Sequence, residues 1–220
     1  MKYIIMCGGT YIKFQQPRQL LVVAGERIVD RTIRLLKQEG ITDMAISTNN
    51  DAFKDCGAPL IQDKYNSNYV TDGVQSRQGF WLDAFYFTEE PVTYLFGDVF
   101  YSDELIHLIV TSQTDDILFF GTDVDKPHPY FKKKYDEPFA FKVVNQKHFR
   151  EGIGAVKWIC THDNGRHPIA WELYRYLFGY PVRQHIKKKN YIYCNDYSSD
   201  IDNVEDVKNI EEAYKAWQNK

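Results

Sequence analysis

The chain has 220 residues, 44% of them hydrophobic, so it can bury one sizeable core, and we expect one domain over residues 1–220. Its formal net charge of −3 argues against nucleic acid or an anionic membrane as a partner, because both require a strongly basic surface. The four cysteines are far apart and form no paired metal-binding spacing, which predicts free thiols in a reducing compartment, the cytoplasm.

Strands and helices alternate through the first half of the chain. Hydrophobic runs and helical periodicity predict strands over 2–7, 43–47, 59–62 and 92–96, and helices over 26–38 and 73–87. Such alternation predicts an α/β fold: a Rossmann-like, three-layer arrangement around a mixed, mainly parallel sheet. Ligands of such sheets bind beyond the carboxyl ends of the strands.

The second half is less regular. The pattern predicts strands over 117–120, 139–144 and 190–193, and helices over 167–178 and 204–217. Residues 122–136 are rich in Lys, Pro and Asp, which indicates a solvent-facing loop or lid. We expect residues 122–190 to contribute an acceptor-binding or lid subregion to the single domain.

A glycine-containing loop follows the first strand directly. Glycines at this place let backbone N–H groups approach an anion, and the basic side chains of Lys13 and Arg18 can neutralise a polyphosphate. The loop therefore predicts a nucleoside triphosphate site that includes Cys7, Gly8, Gly9 and Thr10. The alternative is an ordinary tight turn with both basic side chains in solvent.

Three acidic residues are candidates for a metal site. Asp98 ends a buried strand, and Mg²⁺ prefers one or two rigidly held carboxylates together with water and phosphate oxygens. The alternative is an aspartate that stabilises a turn or caps a helix. Asp200 and Asp202 are two residues apart, so in an extended segment their carboxylates point to the same side. Glu205 and Asp206 fall in the first turn of the last helix, where a structural role is the better interpretation.

Taken in their order along the chain, these motifs resemble those of the GT-A-type nucleotidyltransferases, which include sugar-phosphate nucleotidyltransferases and bacterial phosphocholine cytidylyltransferases. The matching segments are the glycine loop, Gly-Glu-Arg-Ile-Val-Asp-Arg at 25–31, Phe-Gly-Asp at 96–98 and Asp-Ile-Asp-Asn-Val-Glu-Asp at 200–206. The loop departs from the family pattern at three places: Tyr11 replaces a glycine, Lys13 an arginine and Arg18 a lysine.

The resemblance implies a site and a reaction. Gly8, Gly9, Lys13 and Arg18 would hold the triphosphate, Asp98, Asp200 and Asp202 would hold Mg²⁺, and the catalytic residues would be Lys13, Arg18 and Asp98. The enzyme would transfer a nucleoside monophosphate, with CTP the favoured donor, to a small phosphorylated acceptor such as phosphocholine or a sugar phosphate, and would release pyrophosphate. A homodimer is left open.

Candidates for base and acceptor recognition rest on position alone. Residues that follow early strands could read the base, although they are also ordinary turn residues: Asn49, Asp72, Gly73 and Ser76. Lys142 could hold the acceptor phosphate, and Trp171 with Tyr174 could face a cation such as choline, unless they form the buried side of a helix. The predicted acceptor site comprises Glu137, Lys142, Trp171, Glu172 and Tyr174.

Two other functions use the same architecture. A GT-A-type glycosyltransferase would use a nucleotide sugar, but its usual mid-chain metal site has two carboxylates, whereas Phe96-Gly97-Asp98 has one. A non-catalytic module could bind nucleotide without turnover if Tyr11 distorts the loop.

A zinc site at His162, Asp163 and His167 lacks a fourth ligand and a typical spacing.

Overall fold

A mixed, mainly parallel sheet forms the centre of the molecule. The computed structural model describes residues 1–8, 14–61, 82, 85–123, 130–131, 136–162, 169–184 and 189–219. Within these residues seven strands pair in the order β10-β8-β9-β6-β1-β4-β5, and only the two pairs made by β9 are antiparallel. The strands are β1 (Lys2–Met6), β4 (Met44–Ser47), β5 (Leu60–Ile61), β6 (Val92–Phe96), β8 (Ile117–Gly121), β9 (Pro138–Val143) and β10 (Tyr191–Tyr193).

Helices cover both faces of the sheet. On one face, a buried apolar cluster joins the strands to α1 (Ile28–Gln38) and α2 (Asp103–Thr111). On the other face, a second cluster joins them to α3 (Gln146–His162) and α4 (Ala170–Leu177). The predicted three-layer α/β architecture is therefore confirmed.

Two small antiparallel pairs extend the core at one end. β2 (Val22–Val23) pairs with β3 (Glu26–Arg27), and β7 (Val99–Phe100) pairs with β11 (Ser199–Asp200). The last helix, α5 (Val204–Gln218), packs on them through a third apolar cluster. This end of the molecule brings the C-terminal segment next to the turn that follows β6.

Several predicted boundaries were wrong. The helix predicted over 26–38 begins at Ile28, because residues 26 and 27 pair with β2. Neither α2 nor α3 was predicted. Gly152 and Gly154 weaken the helical pattern of α3, and a Cβ at Gly152 would lie 2.5 Å from Leu177, so this glycine permits close packing on α4.

The helix predicted over 73–87 lies largely outside the described residues. Leu82 is helical, but 85–87 is not, so the predicted end was wrong. Phe85 instead packs edge-on against Tyr94 and Phe149 in the second cluster.

The solvent-facing loop predicted over 122–136 is anchored at both ends. Thr122 and Asp136 are buried, so these ends do not face solvent. Within the described parts of the chain, no helix is both long enough and apolar enough to cross a membrane.

Candidate active site

The carboxyl ends of β1, β4 and β6 meet at one edge of the sheet. The backbone N–H of Cys7 donates to the carbonyl of Ser47 at 2.9 Å, and the Thr48 hydroxyl donates to the carbonyl of Cys7 at 3.0 Å. These bonds fix the start of the glycine loop to the end of β4. Asn49 follows as an exposed residue at the same edge.

Gly97 lets the turn after β6 approach this loop closely. Its N–H donates to the carbonyl of Met6 at 3.0 Å. A Cβ added at position 97 would lie 2.6 Å from both the Cys7 sulfur and the Met6 carbonyl oxygen, distances that real Cβ atoms essentially never show. The motif Phe96-Gly97-Asp98 therefore brings Asp98 close to Cys7, where the glycine loop begins.

Arg18 joins the turn after β6 to the C-terminal segment. It begins a short 3₁₀ helix, Arg18–Leu20. Its Nη2 lies 2.8 Å from Oδ2 of Asp98, and its Nη1 lies 2.6 Å from Oδ1 of Asp202. Nη1 also donates to the carbonyl of Ile201 at 2.8 Å. One guanidinium thus holds two carboxylates that are distant in sequence.

The backbone fixes both carboxylates. β11 pairs with β7, and the N–H of Ile201 donates to the carbonyl of Asp98 at 3.0 Å. The Asp206 carboxylate accepts from the N–H groups of Asp202 and Asn203, and the Asn203 side chain caps α5. Asp206 therefore has the structural role that the sequence favoured, as part of a capping box.

The site carries an excess of negative charge. Burial raises the pKa of Asp98 to about 6; Arg18 opposes this shift, whereas Asp200 and Asp202 add to it. Burial, with Asp98 nearby, also raises the pKa of the Cys7 thiol well above its ordinary value. Cys7 is therefore a neutral, buried thiol rather than a nucleophile.

The donor chemistry of this edge suits a hard divalent cation. Asp98 and Asp202 direct carboxylate oxygens at one cationic group, and Asp200 is close enough to affect Asp98. In the described part of the chain, however, no three His, Cys, Asp or Glu side chains are already grouped around one point. The arrangement fits a two-carboxylate Mg²⁺ site that keeps several waters, provided that Arg18 moves away.

Lys142 does not belong to the site, contrary to the prediction. It is 3% exposed and lies beside Thr93, near the amino end of β6, whereas Asp98 follows the carboxyl end. Its Nζ donates to the carbonyls of Val110 and Ser112 at the end of α2. Burial lowers the pKa of Lys142, and its role is to cap a helix terminus.

Three more predicted acceptor residues are core residues. Trp171, Glu172 and Tyr174 are buried in α4, so the alternative of a buried helix face is correct. The Trp171 Nε1 donates to the carbonyl of Asp136, and the Glu172 carboxylate accepts from the N–H of Ile169.

Glu137 is the predicted acceptor residue that lies at the site's edge of the sheet. It immediately precedes Pro138, which pairs with the carboxyl end of β8. The Tyr191 hydroxyl donates to the carbonyls of Thr122 and Glu137, and Trp171 holds the adjacent residue. Tyr191 and Trp171 thus position this edge.

The remaining predicted residues lie outside the described part of the chain. They are Gly9, Thr10, Tyr11, Lys13, Asp72, Gly73, Ser76, Asp163 and His167. Sequence reasoning also missed contributors to the site: the Ile201 carbonyl and the Thr48 hydroxyl. The position of Thr48 directly after a buried strand was the available signal; a backbone carbonyl gives none.

Solved structures with the same fold were found, although no protein-family model and no curated protein sequence matches the chain. A Bacillus anthracis protein assigned as a glucose-1-phosphate thymidylyltransferase is 16% identical, with a TM-score of 0.60 over 96% of this chain and 94% of that one. The 4-diphosphocytidyl-2C-methyl-D-erythritol synthase of Anaerococcus prevotii is 13% identical, with a TM-score of 0.56 over 100% of this chain and 98% of that one. The inositol-1-phosphate CTP transferase of T. maritima is 12% identical, with a TM-score of 0.54 over 97% of this chain and 96% of that one. These structural neighbours are nucleotidyltransferases, and the chain has their Rossmann-like fold over nearly its whole length.

Proposed function

We propose that the chain is a Mg²⁺-dependent nucleotidyltransferase. It transfers the nucleoside monophosphate of an NTP, with CTP the first choice, to a small phosphorylated acceptor and releases pyrophosphate. The observation that carries the proposal is the junction of Arg18, Asp98 and Asp202 near Cys7, at the edge where parallel α/β sheets bind ligands. The shared fold supports it.

The reaction needs little side-chain chemistry. The acceptor phosphate has a second pKa of about 6 and is largely dianionic at pH 7, so its oxygen can attack the α-phosphorus without a strong general base. The new bond forms at the α-phosphorus, and the bond to the α–β bridging oxygen breaks with pyrophosphate as the leaving group. Positioning and charge neutralisation then account for the rate.

The chain's own groups would divide these tasks. The N–H groups of the glycine loop and the Arg18 guanidinium would bind the phosphates, and Asp98 with Asp202 and Asp200 would hold Mg²⁺. The metal would neutralise charge that develops on the phosphate oxygens. Asn49, exposed at the end of β4, would contact the nucleoside.

CTP is the first donor to test. Of the structural neighbours described above, one is named for a cytidyl product and another for CTP, which supports CTP as the first choice. A phosphocholine-like or sugar-phosphate acceptor would approach the edge that Glu137 borders. A carboxylate there could face the cationic or hydroxyl part of such a molecule.

The test is pyrophosphate release, measured with each of the four NTPs against a panel of phosphorylated alcohols, amines and sugars in the presence of Mg²⁺. We expect release with CTP and one acceptor class, and none when Mg²⁺ is removed by EDTA. Nucleotide binding without release across the panel would instead indicate a binding module. Turnover of a nucleotide sugar alone would indicate a glycosyltransferase.

A matched pair of variants links the activity to this site. Asp202→Asn should lower kcat/KM by about 100-fold or more, as expected when a group that stabilises transition-state charge is lost. Asp43→Asn removes a carboxylate that pairs with Lys2 at the opposite edge of the sheet and should leave kcat/KM unchanged. Equal activity of the two variants would contradict the assignment of Asp202.

A further inference from the structure

Arg18 contacts two carboxylates that, in the proposed reaction, would bind Mg²⁺ instead. Both of its terminal nitrogens contact carboxylates, and Nη1 also donates to the Ile201 carbonyl. The proposed function assigns these carboxylates to Mg²⁺ and this guanidinium to the NTP phosphates. Arg18 cannot lie between the carboxylates while a divalent ion occupies the same place, because the two cations repel and share the same oxygen ligands.

We infer that Arg18 is a placeholder cation: in the free protein it occupies the metal position, and it leaves when the NTP phosphates bind. This inference rests on the proposed function and adds to it a coupling between the two ligands. Free divalent ion binds weakly because it must displace the guanidinium. Nucleotide binding removes Arg18 from the carboxylates and opens the metal position.

The exposure of the three side chains supports an exchangeable contact. The side chain of Arg18 is 25% exposed, that of Asp98 is 22% exposed and that of Asp202 is 64% exposed. Ion pairs open to water contribute little net free energy, so the contact with Asp202 can be broken by a stronger ligand. A triphosphate carries more charge than one carboxylate and accepts the guanidinium in two-point hydrogen bonds.

Coupling of this kind is reciprocal. If nucleotide increases metal affinity by a given factor, the metal increases nucleotide affinity by the same factor. The free enzyme would therefore stay metal-poor, and metal and nucleotide would bind together.

The test measures Mn²⁺ binding by electron paramagnetic resonance, without nucleotide, to the full chain and to variants at position 18. We expect Arg18→Gln to bind Mn²⁺ about 10-fold more tightly than the unmodified chain, within the usual range of coupling between sites. Arg150→Gln is the matched control, because it removes a positive charge that pairs with Glu89 on another part of the molecule; its Mn²⁺ affinity should not change. Thermal unfolding verifies that each variant is folded.

Arg18→Lys separates a placeholder from a general charge effect. Lysine keeps the charge, but a single ammonium cannot span both carboxylates and the Ile201 carbonyl as the guanidinium does. We expect Arg18→Lys to bind Mn²⁺ more tightly than the unmodified chain, whereas a pure charge effect predicts equal affinity and would overturn the inference.

The remaining outcomes distinguish the two proposals. Equally tight Mn²⁺ binding by the unmodified chain and Arg18→Gln would overturn the placeholder but leave the metal site intact, provided that Asp98→Asn in the Arg18→Gln background abolishes binding. Absence of Mn²⁺ binding in every variant, even with CTP added, would overturn both the placeholder and the proposed metal site.

Discussion

Asp98 is held in an environment that disfavours its charged form. Its pKa is raised from 3.8 to about 6, first by burial, so the folded protein binds a proton there more tightly than the unfolded chain does. The stabilisation due to the protonated form is complete below about pH 4 and is lost as the pH rises through 6. At pH 7.5 the ionised carboxylate of Asp98 is expected to lower the free energy of unfolding by up to about 3 kcal/mol.

Replacement of Asp98 should therefore separate stability from activity. We expect Asp98→Asn to abolish pyrophosphate release but to raise the free energy of unfolding at pH 7.5, by up to about 3 kcal/mol, with no gain at pH 4. Chemical denaturation at the two pH values measures this difference, and Asp43→Asn serves as the control. A loss of stability at pH 7.5 would show that the ion pair with Arg18 outweighs the burial of the charge.

The raised pKa of Asp98 should also limit the proposed reaction at acid pH. Its ionised form would hold the metal, so we expect kcat/KM to fall as the pH drops below about 6. A pH–rate profile that stays flat to pH 5 with a folded enzyme would contradict this role.

At the residue scale, the sequence indicated charged residues that could form the site but not all of the side chains that they contact. Asp98 was a candidate because it ends a buried strand and because a second acidic motif, with Asp200 and Asp202, follows later in the sequence; alone, it would fit a turn or helix cap equally well. The carboxylate contacts of Arg18 could not, because Arg18 and Asp202 are 184 positions apart and no local pattern relates them. The predicted acceptor role of Lys142 was wrong, because only the tertiary structure shows that its side chain points to the end of a helix.

Among the elements, the contact between the glycine loop and the turn after β6 depends on one missing side chain. We expect Gly97→Ala to lower the free energy of unfolding by about 1–3 kcal/mol through overpacking, and to reduce activity because Asp98 is displaced. Gly154→Ala is the control: a Cβ there meets nothing within 4 Å, so it should stabilise α3 by about 0.5–1 kcal/mol. Thermal unfolding measures both changes, and equal effects would contradict the packing argument.

The elements that were predicted are those with a strong period or a continuous apolar run. β1 and β6 are buried on both faces and need only a hydrophobic run to be recognised. β7 and β11 have two residues each and carry no period, so only the tertiary structure reveals their pairing. α3 was missed because Gly152 and Gly154 weaken its helical pattern, and the packing of Gly152 against α4 cannot be recognised from the sequence.

Across the whole molecule, Arg31 connects α1 to both segments that would build the proposed metal site. Its Nε donates to the carbonyl of Tyr101 at 2.8 Å, and its Nη2 donates to Asp103 at 2.9 Å and to the Tyr197 hydroxyl at 2.8 Å. The guanidinium also lies 4.5 Å from the centre of the Phe100 ring. The β7–β11 pair is thus braced from the side of α1.

Loss of this brace should weaken the fold and the site together. We expect Arg31→Met to lower the free energy of unfolding by about 2–3 kcal/mol, because buried hydrogen-bond partners lose their donor, and to weaken nucleotide binding. Arg34→Met removes the more exposed ion pair with Glu26 and should cost at most about 1 kcal/mol. Urea denaturation compares the two variants. An equal loss of unfolding free energy would contradict the bracing role of Arg31.

The overall architecture followed from the alternation of strands and helices, since short buried strands separated by helices have few other ways to pack. The strand order and the antiparallel β9 did not follow from it. They depend on crossovers and on side-chain fit between segments far apart along the chain, which a single sequence does not encode in any local signal.

The pair formed by β7 and β11 lies outside the seven-stranded sheet and has only two residues in each strand. Short elements of this kind open locally while the rest of a protein stays folded. Such an opening would carry Asp202 away from Asp98 and leave the sheet intact. The proposed activity would therefore be lost before the fold on heating, so that inactivation precedes unfolding.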